Sequence, residues 1–426
     1  MAFVGGSVKK KILLKGPVLT RSGYGEQARF ALRSLRSRED LFDIYIQPLQ
    51  WGQTSWTFEV DEEREWIDKT IEKTIGYVQQ GGYFDMSLQV TIPNEWEKIA
   101  PVNIGYTAGI ETTKVAPVWL QKANDIVDKV IVVSSHSKQV YESTDVIAVD
   151  QNTGNKMDYR LTTPIVAVNY PVKEYENLPD LDLNLDTDYN FLTVAQFGPR
   201  KNLPNTIRWF VEEFSDNPNV GLIVKSNIAK NCLMDREQLF SDLRNYLNSV
   251  PDRQCKVYLL HGDMTDEEIH SLYRHPQVSA FLSLAHGEGY GLPIFEAAYS
   301  GLPVVATGWS GQLDFLVDEN KKEHFYNVSF DIQTVPKEVV WKDVLIAESM
   351  WAYPREHSAK QKMRQCYNDI TTGAEEAIAN NSCEYAKELG ERFSEEKMLA
   401  QFAGEIYSPD PEYLEWVKQL EELDEL

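Results

Sequence analysis

Short runs of apolar and β-branched residues alternate along the chain with segments whose apolar residues recur at helical spacing. In the first half we interpret six runs as strands: ILLK (12–15), DIYIQPL (43–49), MSLQVTI (86–92), VNIGYT (102–107), KVIVVSS (129–135) and IVAVNY (165–170). Helical spacing occurs between them at 24–36, 62–80 and 116–126. This alternation is typical of a parallel sheet covered by helices.

The same alternation starts again in the second half. The predicted strands there are NFLTVAQF (190–197), VGLIVKS (220–226), CKVYLL (255–260), VSAFLSL (278–284) and LPVVAT (302–307). An acidic, proline-containing segment at 172–190 separates the two sets. We therefore predict an α/β protein with two doubly wound, Rossmann-like domains, 1–180 and 181–395. From about residue 340 onward the pattern predicts helices to the end of the chain.

The acidic charge of the chain is concentrated in its second half. The 426 residues carry 42 Lys+Arg and 65 Asp+Glu, a net charge of −23. Residues 1–180 hold 20 Lys+Arg and 24 Asp+Glu, a balance of −4, which leaves −19 for the remainder. A surface of this sign repels phosphate polymers at long range, so tight nonspecific binding to nucleic acid is disfavoured.

The sequence lacks the patterns of a secreted or membrane-spanning protein. No run of about 18 uncharged apolar residues occurs. The start, MAFVGGSVKKKILLKG, differs from a secretory signal because its lysines precede only a short apolar stretch. The four cysteines share no CxxC spacing, and we interpret all of them as buried thiols: Cys232, Cys255, Cys366 and Cys383. We expect a cytoplasmic protein without an integral membrane segment.

A first glycine loop lies between a predicted strand and a predicted helix and contains Gly23-Tyr24-Gly25. Glycine lets the backbone approach a ligand, and the following helix N-terminus offers N–H groups to an anion. The spacing Gly23-x-Gly25-x-x-Ala28 superficially resembles a dinucleotide fingerprint. Asp43, however, precedes its strand, whereas the ribose-binding acid of that fingerprint follows one. An NAD-dependent oxidoreductase and a plain tight turn both stay open as alternatives.

A second loop, FGPRKN (197–202), also joins a predicted strand to a predicted helix. Arg200 and Lys201 place two cations there, which neutralise a diphosphate leaving group without a metal. Adjacent basic residues on a solvated surface are the alternative interpretation. We add Gly198 and Lys225 as candidate contacts to a nucleotide or its phosphates.

The third loop, in FLSLAHGEGYGLPIFEAAYSG, has three glycines in alternating positions. Gly287, Gly289 and Gly291 are expected to leave backbone N–H groups uncovered for phosphate oxygens, namely those of Tyr290, Gly291 and Leu292. The strand–loop–helix order is the same as in the two loops before it.

Two glutamates belong to this third loop and the helix after it. Glu288 is expected to project from the loop mouth toward whatever is attached to the phosphate. Glu296 falls on the first turns of an apolar helix, where a partly buried carboxylate needs hydrogen-bond donors such as ribose hydroxyls. A loop acid and a helix N-terminal carboxylate without any ligand are the alternative.

Together these motifs resemble the GT-B retaining glycosyltransferases of family 4, or glycosyl transferases group 1. Glu288-x7-Glu296 within HGEGYGLPIFEAAYSGLPVVAT resembles the signature of that family, and FGPRKN resembles its basic donor loop. SGQLDFL (310–316) resembles the segment that follows the signature, and GYTAGIETTKVAPVWLQKANDIVDKVIVVSSHSKQVY resembles a subgroup of these enzymes. The resemblance spans roughly 10–405 and is most specific in 190–316.

The resemblance implies a GT-B fold with the site in the cleft between the two domains. C-terminal helices in 396–426 would then cross back onto the first domain. By the same resemblance, Arg200 and Lys201 bind the donor diphosphate. Glu288 meets sugar hydroxyls, and Glu296 binds the nucleotide ribose. The backbone of two loops would contact the sugar and phosphates: 23–25 and 289–292.

The sequence departs from the family pattern at two places. Many members have an arginine just after the first strand of the second domain, where this chain has Gln196. Many also have a histidine near the reacting sugar, but the one histidine before residue 200 is His136, later than expected. The turn TAGIE, with Thr107, Gly109 and Glu111, occupies that region. We treat these three residues and His136 as candidate contacts to sugar or acceptor, with Glu111 also a catalytic candidate.

The implied reaction moves a sugar from a UDP- or GDP-linked donor to a hydroxyl, with the anomeric configuration retained. It needs no metal and no cofactor besides the nucleotide sugar. DLDLNLDTD (180–188) could serve a metal-dependent transferase, but we interpret it as a solvated linker because no strand precedes it. A noncatalytic sugar- or nucleotide-binding protein with a degenerate transferase fold is a further alternative. The acceptor candidates are a saccharide, a protein or a glycolipid, and a modified DNA base is disfavoured by the charge.

Overall fold

The fold was analysed in a computed structural model. The structure describes residues 9–52, 54–57, 59–149, 154–373 and 377–409.

The first half of the chain forms a six-stranded parallel sheet and a separate hairpin. The strands are β1 (Lys10–Gly16), β2 (Phe42–Pro48), β3 (Met86–Val90), β4 (Val102–Thr107), β5 (Lys129–Val132), β6 (Val146–Val149), β7 (Lys156–Tyr159) and β8 (Ile165–Ala167). The sheet order is β2-β1-β3-β4-β5-β8, and β6 pairs with β7 in the antiparallel hairpin. The helices are α1 (Gly23–Arg36), α2 (Glu62–Gln79), α3 (Pro117–Ile126) and α4 (Ser135–Ser143).

The second half forms another six-stranded parallel sheet. Its strands are β9 (Tyr189–Val194), β10 (Val220–Lys225), β11 (Lys256–Leu260), β12 (Ala280–Ser283), β13 (Val304–Thr307) and β14 (Tyr326–Val328), in the order β11-β10-β9-β12-β13-β14. The helices between them are α5 (Leu203–Glu213), α6 (Leu233–Asn248), α7 (Asp266–Tyr273), α8 (Leu292–Tyr299) and α9 (Leu313–Leu316). The prediction of two doubly wound sheets is confirmed.

The remaining elements include a hairpin that the sequence pattern did not predict. They are β15 (Phe330–Thr334), β16 (Met350–Pro354), α10 (Glu356–Thr372), α11 (Ile378–Arg392) and α12 (Glu395–Ile406). The prediction of helices from about residue 340 onward is wrong at β16, which pairs with β15 in an antiparallel hairpin. Strand β16 is held by tertiary contacts, since the Ala352 N–H donates to the His286 carbonyl at 3.0 Å and Trp351 is buried.

The prediction that all cysteines are buried is wrong for two of them. Cys255 and Cys366 are buried free thiols, whereas Cys232 and Cys383 are exposed free thiols. Cys232 is the residue before α6, and Cys383 lies on the solvent-facing side of α11.

Helix α12 packs against the first half of the chain. Its Phe402 ring lies 5.2 Å from the Phe30 ring on α1 and 4.8 Å from the Tyr106 ring on β4. Lys129 donates to the Glu405 carboxylate at 2.8 Å. The expected C-terminal helices 396–426 therefore include one described helix on the first domain, and residues 410–426 lie outside the described residues.

The carboxyl ends of the two sheets face each other. The turn after β4 contacts the loop after β12, because a Cβ atom built on Gly289 would lie 2.0 Å from the Ala108 carbonyl oxygen. Ser134, which follows β5, donates to the Gly289 carbonyl at 2.6 Å. Ligands of open parallel sheets bind at the carboxyl ends of the strands. We therefore expect the functional site where the carboxyl ends of the two sheets meet.

Candidate functional site

The centre of the candidate site is an ion cluster formed by two basic residues and one acid. Lys201 Nζ lies 2.5 Å from Glu288 Oε1, and Arg200 Nη1 lies 2.9 Å from Glu288 Oε2. Arg200 also donates to the Gly287 carbonyl at 2.7 Å. The two cations come from the 3₁₀ turn Pro199–Lys201 after β9, and Glu288 comes from the loop after β12. The two adjacent strands β9 and β12 thus bring these residues together.

The electrostatics of the cluster follow from its burial. Burial alone would raise the pKa of Glu288, but the charges of Lys201 and Arg200 outweigh it and hold that pKa below its ordinary value. Burial, assisted by the charge of Arg200, lowers the pKa of Lys201 despite the Glu288 carboxylate. Both basic side chains are mostly shielded from water, with exposed fractions of 27% for Arg200 and 20% for Lys201. Charges in such surroundings act on a bound anion more strongly than solvated charges do.

Backbone donors accompany the two cations. The described residues supply no acceptor for the N–H groups of Tyr290, Gly291 and Leu292, which precede or open α8. Gly291 has a left-handed φ of 94°, which glycine adopts without steric cost. N–H groups at the start of a helix are suited to phosphate oxygens. The expectation that this loop leaves these N–H groups uncovered therefore agrees with the structure, and binding of phosphate by them stays a prediction.

The glycines at 287 and 289 serve close packing between the two halves of the chain. A Cβ atom on Gly287 would lie 2.4 Å from the Glu111 carbonyl oxygen, and one on Gly289 would meet Ala108. The turn TAGIE therefore lies directly on the glycine loop, backbone against backbone. Glu111 extends from this turn to within 3.4 Å of Arg200, so its carboxylate belongs to the ion cluster.

The first glycine loop supports the same turn from the other side. The Tyr24 hydroxyl lies 2.8 Å from Thr107 Oγ1 and accepts from the Gly109 N–H at 3.2 Å. A Cβ atom on Gly25 would lie 2.0 Å from the Thr20 carbonyl oxygen, whereas one on Gly23 would meet no atom within 4 Å. Tyr24 thus contacts both Thr107 and Gly109. Residues 23–25, predicted as a loop, form the first turn of α1, and Gly25 lets this turn lie against the Thr20 carbonyl.

Glu296 lies beside a separate small cavity. The Tyr273 hydroxyl donates to its carboxylate at 3.0 Å. The cavity has a volume of about 10 Å³, which is room for about one water molecule. Its walls include Glu26 and Lys173, which form an ion pair of 2.8 Å between α1 and the segment that joins the sheets. A nucleoside fits beside Glu296 only after this wall moves.

The pKa of Glu296 gives a pH-dependent expectation. Burial raises this pKa to about 7, so the folded protein holds a proton that the unfolded chain releases near its ordinary value of 4.5. The free energy of unfolding should therefore fall as the pH rises from about 4.5 to about 7. Glu296→Gln should remove this part of the fall. Thermal unfolding of both proteins across this range measures it, and a constant difference in Tm at every pH would contradict the assignment.

His136 lies in the first turn of α4. Its ring packs edge-on against Trp309 at 4.9 Å, and its Nε2 atom is buried without a partner among the described residues. Burial lowers its pKa to about 4. The imidazole is therefore neutral at neutral pH and makes no described contact with the ion cluster.

The other candidates of the second domain lie around the same strand ends. Lys225 donates to the Gly262 carbonyl, and burial lowers its pKa. Gln196, at the position of the family arginine, donates to the Ile228 carbonyl at 2.8 Å. Gly198 precedes the basic 3₁₀ turn, and a Cβ atom there would meet no atom within 4 Å. Lys225 and Gln196 are therefore bound by protein groups rather than joined to the ion cluster.

Several residues with positions in the site were not predicted. Ser310 accepts from the Glu288 N–H, Ser134 donates to the glycine loop, and Lys173 closes the cavity of Glu296. Single serines do not contribute to the spacing of apolar residues from which helices and strands are predicted. The run SGQLDFL was the signal that could have directed attention to Ser310.

The described part of the chain was searched for a membrane-spanning helix and for a cluster of metal ligands. No helix within the described ranges is long and apolar enough to cross a membrane. The same ranges contain no group of three or more His, Cys, Asp or Glu side chains placed to hold a metal ion.

Comparison with known proteins finds relatives of the second half of the chain. Residues 182–333 match the model of the family Glycosyl transferases group 1. The serotype-specific mannosyltransferase WbdA of Escherichia coli is 30% identical over 116 residues, which cover 27% of this chain and 13% of that protein. This chain therefore spans a small part of the length of the curated relative it matches.

Solved structures extend the likeness to both halves of the chain. The sucrose-phosphate synthase of Thermosynechococcus elongatus aligns with a TM-score of 0.57 at 12% identity, covering 93% of this chain and 98% of that one. HepE of Anabaena, solved with UDP-glucose, aligns with a TM-score of 0.54 at 13% identity and the same coverage. The fold is that of the GT-B glycosyltransferases. Residues 182–333 of its second domain match Glycosyl transferases group 1, so the resemblance to GT-B glycosyltransferases is confirmed at the level of this group and this fold.

Proposed function

We propose that this protein transfers a sugar from a nucleoside-diphosphate donor to a hydroxyl group and retains the anomeric configuration. The observation that carries the proposal is the pair of cations, Arg200 and Lys201, beside backbone N–H groups without acceptors at the start of α8. The group 1 match of residues 182–333 supports it, since it covers this loop and both glutamates. The alternative of a nicotinamide-dependent oxidoreductase has no comparable set of contacts among the described residues. A noncatalytic binding protein would use the same contacts, and donor hydrolysis distinguishes it from a transferase.

The chemistry follows from where negative charge develops. As the bond from the sugar to the diphosphate breaks, the sugar becomes an oxocarbenium-like cation and the diphosphate gains charge. Arg200, Lys201 and the N–H groups of the glycine loop stabilise that leaving charge more than they stabilise the bound donor. The departing phosphate oxygen takes the proton of the acceptor hydroxyl, so no protein base is required and no metal is needed to neutralise the diphosphate.

In the proposed reaction the Glu288 carboxylate exchanges the two cations for sugar hydroxyls. In the structure its carboxylate is paired with both cations. When the diphosphate occupies the cations, the carboxylate is released to accept hydrogen bonds from sugar hydroxyls. Glu111 lies next to the same cations and is the candidate of the first domain for contact with the sugar or acceptor.

The donor and acceptor are proposed from chemistry. We propose UDP- and GDP-linked hexoses, mannose included, as donors, and the likeness of part of the chain to a mannosyltransferase supports this choice. A saccharide, protein or glycolipid hydroxyl is the proposed acceptor. The charge of −23 disfavours modified DNA. We propose a cytoplasmic location, where nucleotide sugars serve as co-substrates.

Slow hydrolysis of the donor tests the proposal before any acceptor is known. A panel of UDP- and GDP-linked sugars is incubated with the protein in excess chelator, and the released nucleoside diphosphate is measured. We expect release from one or a few donors at a rate unaffected by the chelator. Loss of activity that manganese restores would contradict the metal-free mechanism. If donors bind tightly but none releases nucleoside diphosphate, the noncatalytic alternative is favoured. Binding of NAD to the protein would favour the oxidoreductase.

A further inference from the structure

Ser310 has an unusual backbone for its residue type. Its φ of 77° lies in the left-handed region, where a side chain is strained and glycine is not. The residue is 3% exposed, so water does not stabilise this conformation. Strain of this kind persists where surrounding contacts fix the backbone, and it is found at functional sites. What serine adds over glycine at this position is its hydroxyl.

The hydroxyl of Ser310 is fully used. Its Oγ accepts from the Glu288 N–H at 2.9 Å and donates to Gln312 Oε1 at 2.9 Å. Gln312 in turn donates from Nε2 to the Thr307 carbonyl at 2.9 Å. The relay therefore runs from the end of β13 to the main chain of the acid in the ion cluster.

The next residue holds the other backbone group of the same acid. The Gly311 N–H donates to the Glu288 carbonyl at 3.0 Å. A Cβ atom on Gly311 would lie 2.1 Å from the Gly289 carbonyl oxygen, so this segment lies directly against the glycine loop. Both the N–H and the carbonyl of Glu288 are thus fixed by residues 310 and 311, while its side chain contacts Arg200 and Lys201.

We propose that Ser310 is a positioning residue for Glu288, and this inference rests on the proposed function. Its hydroxyl fixes the main chain from which the carboxylate reaches the cations and, during turnover, the sugar. A carboxylate that moves between the cations and a sugar needs a fixed backbone, because misplacement by about 1 Å is costly to catalysis. The strained backbone is retained because the hydroxyl is needed there.

Two variants separate the hydroxyl from the backbone strain. Ser310→Ala removes Oγ and keeps the strain, whereas Ser310→Gly removes both. We expect both to lower kcat for donor hydrolysis by about 10-fold, because each leaves the Glu288 N–H without its acceptor. KM for the donor should change little, since the cations remain. The Tm of Ser310→Gly should exceed that of Ser310→Ala by about 2 °C, because glycine relieves the strain.

Lys321→Gly is the matched control. Lys321 is an exposed residue with a φ of 64° outside the ion cluster. Glycine there should raise Tm by a similar amount and leave kcat unchanged. Wild-type kcat in Ser310→Gly, with loss confined to Ser310→Ala, would show that only the backbone conformation matters and would overturn the proposal.

A second readout distinguishes this inference from the proposed function. Absence of donor hydrolysis by the wild-type protein would count against the transferase, not against Ser310. Hydrogen exchange at the Glu288 amide tests the positioning role in either case. Exchange should become at least about 10-fold faster in both Ser310 variants and stay unchanged in Lys321→Gly. Unchanged protection of this amide in both Ser310 variants would overturn the proposal.

Discussion

Lys201→Ala and Arg200→Ala should each lower kcat for donor hydrolysis by about 100-fold or more. Each variant removes one positive charge aimed at the leaving diphosphate, and removal of one such group costs about 10²–10³ in rate in comparable sites. The effect should be large because both side chains are mostly shielded from water. Rates of nucleoside diphosphate release from the donor found in the panel measure it.

Arg208→Ala provides the matched control for these two variants. Arg208 lies on α5, directly after the basic turn, and its partly exposed guanidinium is 3.9 Å from Glu356. Its loss should leave kcat within about twofold of wild type, because exposed ion pairs of this kind contribute little. Conservative replacement by Lys201→Arg should retain more activity than Lys201→Ala. Near wild-type kcat in both alanine variants of the cluster would refute the assignment of the cations.

Gly289→Ala should disrupt the contact between the two halves of the site. The new Cβ atom would lie 2.0 Å from the Ala108 carbonyl oxygen, closer than side chains approach any atom. The turn TAGIE and the glycine loop must then separate by roughly 1 Å. A displacement of this size costs on the order of 100-fold in rate, and overpacking costs about 1–3 kcal/mol of stability. We expect both kcat and Tm to fall.

Gly404→Ala is the corresponding control on α12. A Cβ atom there meets no atom within 4 Å. Alanine is favoured over glycine inside a helix by about 1 kcal/mol, so Tm should rise or stay the same while kcat is unchanged. A Gly289→Ala protein with wild-type kcat and Tm would show that the two loops do not need their close approach.

The two sheets could be predicted because their strands are buried on both faces. Such strands are short continuous apolar runs, for example FLTV in β9, and they stand out between helical segments. The hairpins were not predicted for the opposite reason. Strands β7 and β15 are largely exposed and β6 is half exposed, so their residues do not form the continuous apolar runs that mark a buried strand. The sequence carries no clear sign of such pairing.

The members of the site were easier to predict than their contacts. Arg200, Lys201 and Glu288 could be predicted as site residues because they lie in loops at strand ends. Parallel strands place such loops at one edge of the sheet. Their pairing with one another was not predicted, because the sequence suggested separate ligands for the cations and the acid. The cavity of Glu296 depends on Lys173, which comes from the connecting segment. Nothing in the local sequence there indicates a contact with α1.

Binding of a diphosphate by the two cations and the glycine loop can be seen in a crystal structure of the protein with uridine or guanosine diphosphate, whichever the donor panel selects. We predict phosphate oxygens within about 3 Å of Arg200, Lys201 and the N–H groups at the start of α8, with Glu296 on the ribose and the Lys173 wall displaced. A diphosphate bound elsewhere, or cations still paired with Glu288 beside an occupied ligand site, would contradict the account.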